Sequence, residues 1–186
     1  MRLTELGLKA LAITVAVSAI SFSPSSAEST LDQPLATYRL RLYETHTNER
    51  MDIIYRRGDT YVPSAVAELD HFLRDHRTGT EYQLNPELFD LLHDVAAATG
   101  RSNAEIDIVC GYRTPRSNAF LRSTTGGVAE HSLHVEGEAI DIRIPGVPTS
   151  RLRDFALRLH RGGVGYYPVS NFVHVDVGRV RQWEYP

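Results

Sequence analysis

From position 37 onward, the spacing of apolar residues divides the chain into strands and helices. Tyr38-Arg39-Leu40-Arg41-Leu42-Tyr43 and Met51-Asp52-Ile53-Ile54-Tyr55 read as two strands, with the polar stretch Thr45 to Glu49 as the turn of a β-hairpin. Ala65, Val66, Leu69, Phe72 and Leu73 recur at helical spacing, as do Leu88, Leu91, Leu92 and Val95, so two amphipathic helices follow the hairpin. Asn85 before Pro86 is the expected cap of the second helix, and Gly100 its stop. Ile106 to Cys110 reads as a core strand ending at Gly111. Tyr112-Arg113-Thr114-Pro115 then turns into a short helix running through Phe120 and Leu121.

Beyond a glycine- and threonine-rich loop at Ser123 to Val128, Ala139 to Ile144 predicts another strand and Ser150 to His160 a long helix. Val164 to Tyr167 and Phe172 to Val177 predict a terminal antiparallel pair. Strands and helices mix without the regular alternation of a doubly wound parallel sheet. The expected fold is therefore α+β, a single domain over 37–186 with helices packed on one side of an antiparallel sheet.

Composition changes this picture little. Hydrophobic residues at 42% and charged residues at 23% of 186 fit one globular domain with a short extension. A net charge of −3 without a basic stripe excludes nucleic acid as the expected partner. The N-terminus does change it. Arg2 and Lys9, the apolar run Ala10 to Phe22 and the small residues Ser25-Ser26-Ala27 read as a secretory signal over 1–27, cleaved after about Ala27, with a linker over 28–36. The run covers 13 residues, short of the roughly 20 a helix needs to span a bilayer, so no stable membrane span is expected after cleavage. Loss of Arg2, Lys9 and Glu5 leaves a mature chain of charge −4. A single cysteine, Cys110, rules out an internal disulfide in the exported compartment and makes an all-thiolate metal site impossible.

Ionisable residues are densest over Glu130 to Asp141, with His174-Val175-Asp176 following later. Two imidazoles and a carboxylate would leave a fourth tetrahedral position open for water, as a catalytic zinc needs and a structural zinc lacks. His174 and Asp176, two apart on a predicted strand, point to one face, while His134 precedes the strand that delivers Asp141. Spacing alone leaves metal binding and ordinary solvated histidines equally open, since the chain has eight histidines.

Three motifs occur in a fixed order: Cys-Gly-Tyr-Arg-Thr-Pro-x-x-Asn at 110–118, Ser-x-His-x-x-Gly-x-Ala-x-Asp at 132–141, and Gly-Gly-Val-Gly-Tyr-Tyr-Pro through Phe-Val-His-x-Asp at 162–176. Together they resemble the zinc peptidase group of lysostaphin, D-alanyl-D-alanine metallopeptidases and hedgehog, and within it the periplasmic murein endopeptidase K branch. The resemblance spans about residues 37–183. It implies one zinc per chain held by His134, Asp141 and His174, with Arg113 reaching into the cleft to hold the scissile carbonyl or a substrate carboxylate. It implies a periplasmic enzyme that hydrolyses amides in the stem-peptide cross-links of peptidoglycan; a monomer is the expectation, on no residue signal.

One departure stands out. Many relatives carry a glutamate three residues before the last histidine ligand, or a histidine two before it, to take a proton from water. Asn171 and Phe172 occupy those places here, and neither is a base. Asp176 is the first candidate for the role, although as a neighbour of His174 it reads more naturally as the carboxylate that orients that imidazole. His131 and Glu136 are weaker candidates.

Among the remaining residues, Ser132 reads as a turn hydrogen bonder, Gly137 as a point of close approach or positive φ, and Cys110 as a small buried hydrophobe. Tyr166 and Tyr167 read as groove or half-buried strand residues, and Trp183 as a C-terminal packing anchor. Two enzyme alternatives share the chain: a D-alanyl-D-alanine carboxypeptidase or dipeptidase with the same metal site, and a cysteine hydrolase using Cys110. A non-catalytic zinc module that binds cell-wall peptide is the third.

Overall fold

Alternation in the hairpin produces β1 (Thr37–Glu44) and β2 (Arg50–Arg57), which pair antiparallel and turn Leu40 and Leu42 inward. This computed structural model describes residues 35–186. The expected signal over 1–27, and the expected linker except its last two residues, lie outside the described residues. A two-residue strand, β3 (Thr60–Tyr61), extends the hairpin. The chain continues through α1 (Pro63–Phe72), α2 (Glu87–Ala98), β4 (Glu105–Cys110), α3 (Pro115–Thr124), β5 (Ala139–Arg143), α4 (Thr149–Leu159), β6 (Gly163–Tyr167), β7 (Phe172–Asp176) and β8 (Arg181–Glu184). Among the described residues no helix is long and apolar enough to cross a membrane.

The eight strands of the described residues form one sheet in the order β3-β2-β1-β4-β5-β7-β6-β8. Most neighbours are antiparallel, as expected, but β1 lies parallel to β4 and β6 parallel to β8. The short outer strands β3 and β8 limit the exposed pairing edge. One face of the sheet is apolar: Ile106, Ile108, Ile140, Ile142, Val164, Val173 and Val175 join α1, α2 and α4 in a single core around Leu69, Leu88, Phe89, Leu92 and Leu152. Helix α2 packs on β1, and α4 on β6 and β7. Burying each such side chain contributes roughly 1.5–3 kcal/mol, which favours this one register.

Period-2 alternation sends the intervening residues to the other face. On β5 that is Asp141 between Ile140 and Ile142, and on β7 His174 between Val173 and Val175. The helices thus hold the sheet from behind and leave its opposite face for chemistry. Helix α3 contributes no residue to the core. Its N-terminus is built by Thr114, whose Oγ1 accepts from the Ser117 N–H at 3.1 Å, followed by Pro115 in the first turn.

Buried Asp75 anchors that start. Its carboxylate accepts from the Thr114 N–H at 2.8 Å and hydroxyl at 2.7 Å and from the Arg77 N–H at 2.9 Å. Burial opposes its charge, but the Ser117 hydroxyl and these donors outweigh burial and hold its carboxyl at about 2. The folded pKa lies below the unfolded value of about 3.9. Its contribution is therefore complete above about pH 4 and is lost as pH falls toward 2. In Asp75→Ala the Thr114 N–H loses its acceptor, so chemical denaturation at pH 7 should show a loss of about 1–3 kcal/mol, and melting temperatures of the two chains should converge below pH 3.

Candidate active site

The polar face of the sheet carries a lateral row fixed by strand register: Cys110 pairs with Asp141, Asp141 with His174, His174 with Gly165, and Gly165 with Trp183. Register partners share a face, so five strands present these residues side by side. Cys110 joins the row because of a β-bulge. In simple alternation it would follow Ile106 and Ile108 into the core, but the register shift between Ile108 and Cys110 re-aims it beside Asp141. The reading of Cys110 as buried agrees with its 7% exposure, yet it lines the cleft rather than the core.

His134 arrives from the loop before β5. Its Nδ1–H donates to the Gly111 carbonyl at 2.8 Å, which leaves Nε2 bare and facing the row. On His174 the pattern is mirrored: Nε2–H donates to Asp176 Oδ2 at 3.1 Å, leaving Nδ1 bare. His134 Nε2 lies 3.2 Å from Asp141 Oδ1 and 3.1 Å from His174 Nδ1, and His174 Nδ1 lies 2.9 Å from Asp141 Oδ1. Two bare nitrogens and a carboxylate oxygen, all acceptors, thus converge in a buried spot. Such a cluster repels itself unless it shares a positive charge. Ligands about 2.0–2.1 Å from a tetrahedral ion sit about 3.3 Å from one another, so the spacing and the donor set fit a zinc-sized cation.

Without a metal the same demand falls on a proton. Burial resists charging His134, but Asp141 and then Cys110 outweigh it and push the imidazole up to about 10. Burial likewise opposes the charge on Asp141, and His134 followed by His174 holds it well below the usual carboxylate range. A second donor grouping overlaps this one, with Cys110, His134 and Asp141 offering ligand atoms within 4.8 Å of one another. The sulfur is shared with Arg113, however, whose Nη2 lies 3.6 Å from it.

Arg113 is 7% exposed and lines the cleft. Its Nη1 donates to Asn118 Oδ1 at 3.1 Å and its Nη2 lies 4.0 Å from Asp141 Oδ2, while Nε has no partner among the described residues. Asn118 in turn donates through Nδ2 to the carbonyls of Ala129 at 3.1 Å and Glu130 at 3.3 Å, tying Arg113 to the loop that borders the cleft. Asn118 closes the first motif, but a buried amide bridging a cation to two carbonyls is recognised only by those partners.

Asp176 lies behind His174. It is fully buried, with Oδ1 accepting from the N–H groups of Gly163 and Gly178 at 2.9 Å each and from Arg181 Nη1 at 3.0 Å, while Oδ2 accepts from Arg181 Nη2 at 2.7 Å. Burial opposes its charge, but His174 and then Arg181 bring its carboxyl to about 2. This packing accounts for the glycines of the third motif: a Cβ on Gly163 would meet Asp176 Oδ2 at 2.4 Å, and one on Gly165 would meet the Trp183 indole at 2.5 Å. Of the three groups considered as proton acceptors, only His131 lines the cleft.

The cleft itself, of about 560 Å³, is walled by Tyr167, Phe172 and Trp183 on the β6–β8 side. Tyr167 stacks on Phe172 with centroids 4.4 Å apart and accepts from Trp183 Nε1 at 3.0 Å, whereas Tyr166 packs against the core. Trp183, read as a packing anchor, is a wall of the site. Gly137, at φ +70°, lets the chain pass the Tyr82 ring just before β5. Asn171 is an exposed residue at φ +54°, and Phe172 a cleft wall.

A family model described as peptidoglycan L,D-endopeptidase MepK matches residues 33–183. The chain is 39% identical over 168 residues to the probable peptidoglycan L,D-endopeptidase MepK of Haemophilus influenzae, covering 89% of this chain and 88% of that protein. It is 38% identical over 160 residues to the peptidoglycan L,D-endopeptidase MepK of Escherichia coli strain K12, covering 86% and 87%. No solved structure matches.

Proposed function

This chain belongs to the peptidoglycan L,D-endopeptidase MepK family, and from that premise we propose that it is an exported zinc peptidase of the periplasm. It hydrolyses an amide joining an L- to a D-configured residue in peptidoglycan cross-links, acts as a monomer, and loses its signal after about Ala27. The observation that carries the reading is the convergence of three bare acceptors, His134 Nε2, Asp141 Oδ1 and His174 Nδ1, at the floor of a cleft. These three residues would hold the ion.

When bound, the metal supplies Lewis acidity to both the scissile carbonyl and the attacking water. The chain does the rest. The Gly111 carbonyl and the Asp176 carboxylate fix the two imidazole tautomers so that bare nitrogens face inward. Arg113, held by Asn118, presents guanidinium N–H groups where negative charge develops on the substrate oxygen. Tyr167, Phe172 and Trp183 exclude water from one side of the peptide. Asp176 takes the positioning role rather than that of proton acceptor, a choice supported by its full burial and five hydrogen-bond donors.

Digestion of cross-linked and uncross-linked muropeptides tests the activity. Cross-linked dimers should fall to monomers, whereas release of terminal D-alanine alone would replace the endopeptidase reading with a carboxypeptidase. A chelator should abolish hydrolysis and lower the melting temperature, because an ion that binds only the folded chain stabilises it, and zinc should restore both. Activity that survives metal removal but is lost in Cys110→Ser would point instead to a cysteine hydrolase.

A further inference from the structure

We propose that Arg77 and His76, with the His46 ring stacked against His76, form a second subsite of the same cleft, one that binds a free carboxylate of the peptide substrate. The inference rests on the endopeptidase reading for its ligand. All three side chains line the cleft that holds His134, Asp141 and His174. They come from two loops, the β1–β2 turn and the segment after α1, so only folding brings them together.

Both loops are rigidly held. His46 Nε2–H donates to the Val109 carbonyl at 3.1 Å, beside Cys110, and its backbone N–H donates to Glu44 Oε2 at 2.9 Å. His76 and Arg77 follow the buried Asp75, which accepts from the Arg77 N–H at 2.9 Å and locks this loop to Thr114 at the start of α3. The two imidazoles stack at 3.9 Å between centroids with planes 13° apart.

Among the described residues no carboxylate is hydrogen-bonded to either ring; the nearby Glu44 and Asp75 carboxylates are engaged by backbone N–H groups, and the cations close by are Arg77 and Arg113. Burial, then His46 and Arg77, and also Arg113, press His76 toward its neutral form, to about 4. Burial is the largest cause and Asp75 opposes the shift, so the attraction for an anion comes from the Arg77 and Arg113 guanidiniums rather than from the imidazole. A stem peptide offers carboxylates, which an arginine fork recognises well.

A metal is the competing occupant, since Glu44, His46 and His76 have ligand atoms within 4.8 Å of one another. Two features oppose it. Face-stacked rings direct their lone pairs side by side rather than toward one point, and Glu44 already accepts from the N–H groups of His46 and, at 3.4 Å, Thr47.

The test is equilibrium binding of an uncross-linked muropeptide, with free or amidated carboxylates, to the zinc-loaded full chain and to Arg77→Ala, His76→Ala and Arg77→Lys. A charge-assisted hydrogen bond is worth enough to predict about tenfold or more weaker binding in the alanine variants. Partial recovery is expected in Arg77→Lys. Amidation should weaken binding to wild type by a similar factor and should add little in Arg77→Ala. Equal effects of amidation on wild type and variant, or unchanged affinity in both alanine variants, would overturn the subsite. So would two zinc ions per wild-type chain falling to one in His76→Ala. Hydrolysis of cross-linked dimers by wild type, run in parallel, separates failure of the subsite from failure of the endopeptidase reading.

Discussion

In His134→Ala, bound zinc should fall from one ion per chain to well below that, and hydrolysis of cross-linked muropeptides by about a thousandfold or more. The size follows from what is removed. Lewis-acid assistance is worth several kcal/mol of transition-state stabilisation, and each 1.36 kcal/mol is tenfold in rate. His134 supplies one of three converging acceptors, and its Nδ1–H to the Gly111 carbonyl shows that the ring is oriented by the backbone rather than by chance contact. Metal analysis and single-turnover hydrolysis check both halves. A variant that keeps its zinc and its rate would remove His134 from the site.

Asp176→Ala should produce the second largest effect, and on two separate readouts. His174 loses the carboxylate that fixes its tautomer, and loss of such a partner typically costs 10–100-fold in metal affinity. Stability should drop as well. The Gly163 and Gly178 N–H groups and the Arg181 guanidinium all lose their acceptor in a site with no exposure on the Asp176 side. Arg181, 31% exposed, can turn to water, so the loss falls chiefly on the two amides at about 1–3 kcal/mol each, or about 10 °C in melting temperature for a domain of this size. The pH dependence has a definite sign. With its folded pKa at about 2, against about 3.9 unfolded, Asp176 stabilises fully above about pH 4, and the gap between wild type and variant should close as pH falls toward 2. A variant with weakened zinc binding but native stability would show that Arg181 and the two amides find other partners.

Local pattern carried the strands and the helices behind them. Alternation of Ile140-Asp141-Ile142 and Val173-His174-Val175 marks strands with one apolar and one polar face, and that parity puts Asp141 and His174 on the same side once β5 and β7 pair. The pairing itself is non-local and leaves no trace in spacing. The same limit explains Trp183: nothing near the C-terminus indicates that Arg181–Glu184 pairs parallel with β6, so a residue readable only as an anchor becomes a wall of the cleft.

Cys110 illustrates a different limit. Its alternation with Ile106 and Ile108 correctly implied burial, but a bulge, which periodicity cannot register, turns it to the face of Asp141. His46 and His76, thirty residues apart in separate loops, had no shared motif, and their stacking depends on how α1 and the hairpin pack. Asp75 was likewise silent, and Asn118 stood in the first motif without a role, because a buried polar residue is distinguished by its partners, which lie 39 and 11 or 12 residues away.

X-ray absorption at the zinc edge of the purified chain tests the central arrangement most directly, because it reads the donor atoms themselves. Ligation by His134, Asp141 and His174 predicts a first shell of nitrogen and oxygen at about 2.0–2.2 Å with the outer scattering of two imidazoles and no sulfur. A sulfur shell near 2.3 Å, placing Cys110 on the metal, or the scattering of a single imidazole would contradict it.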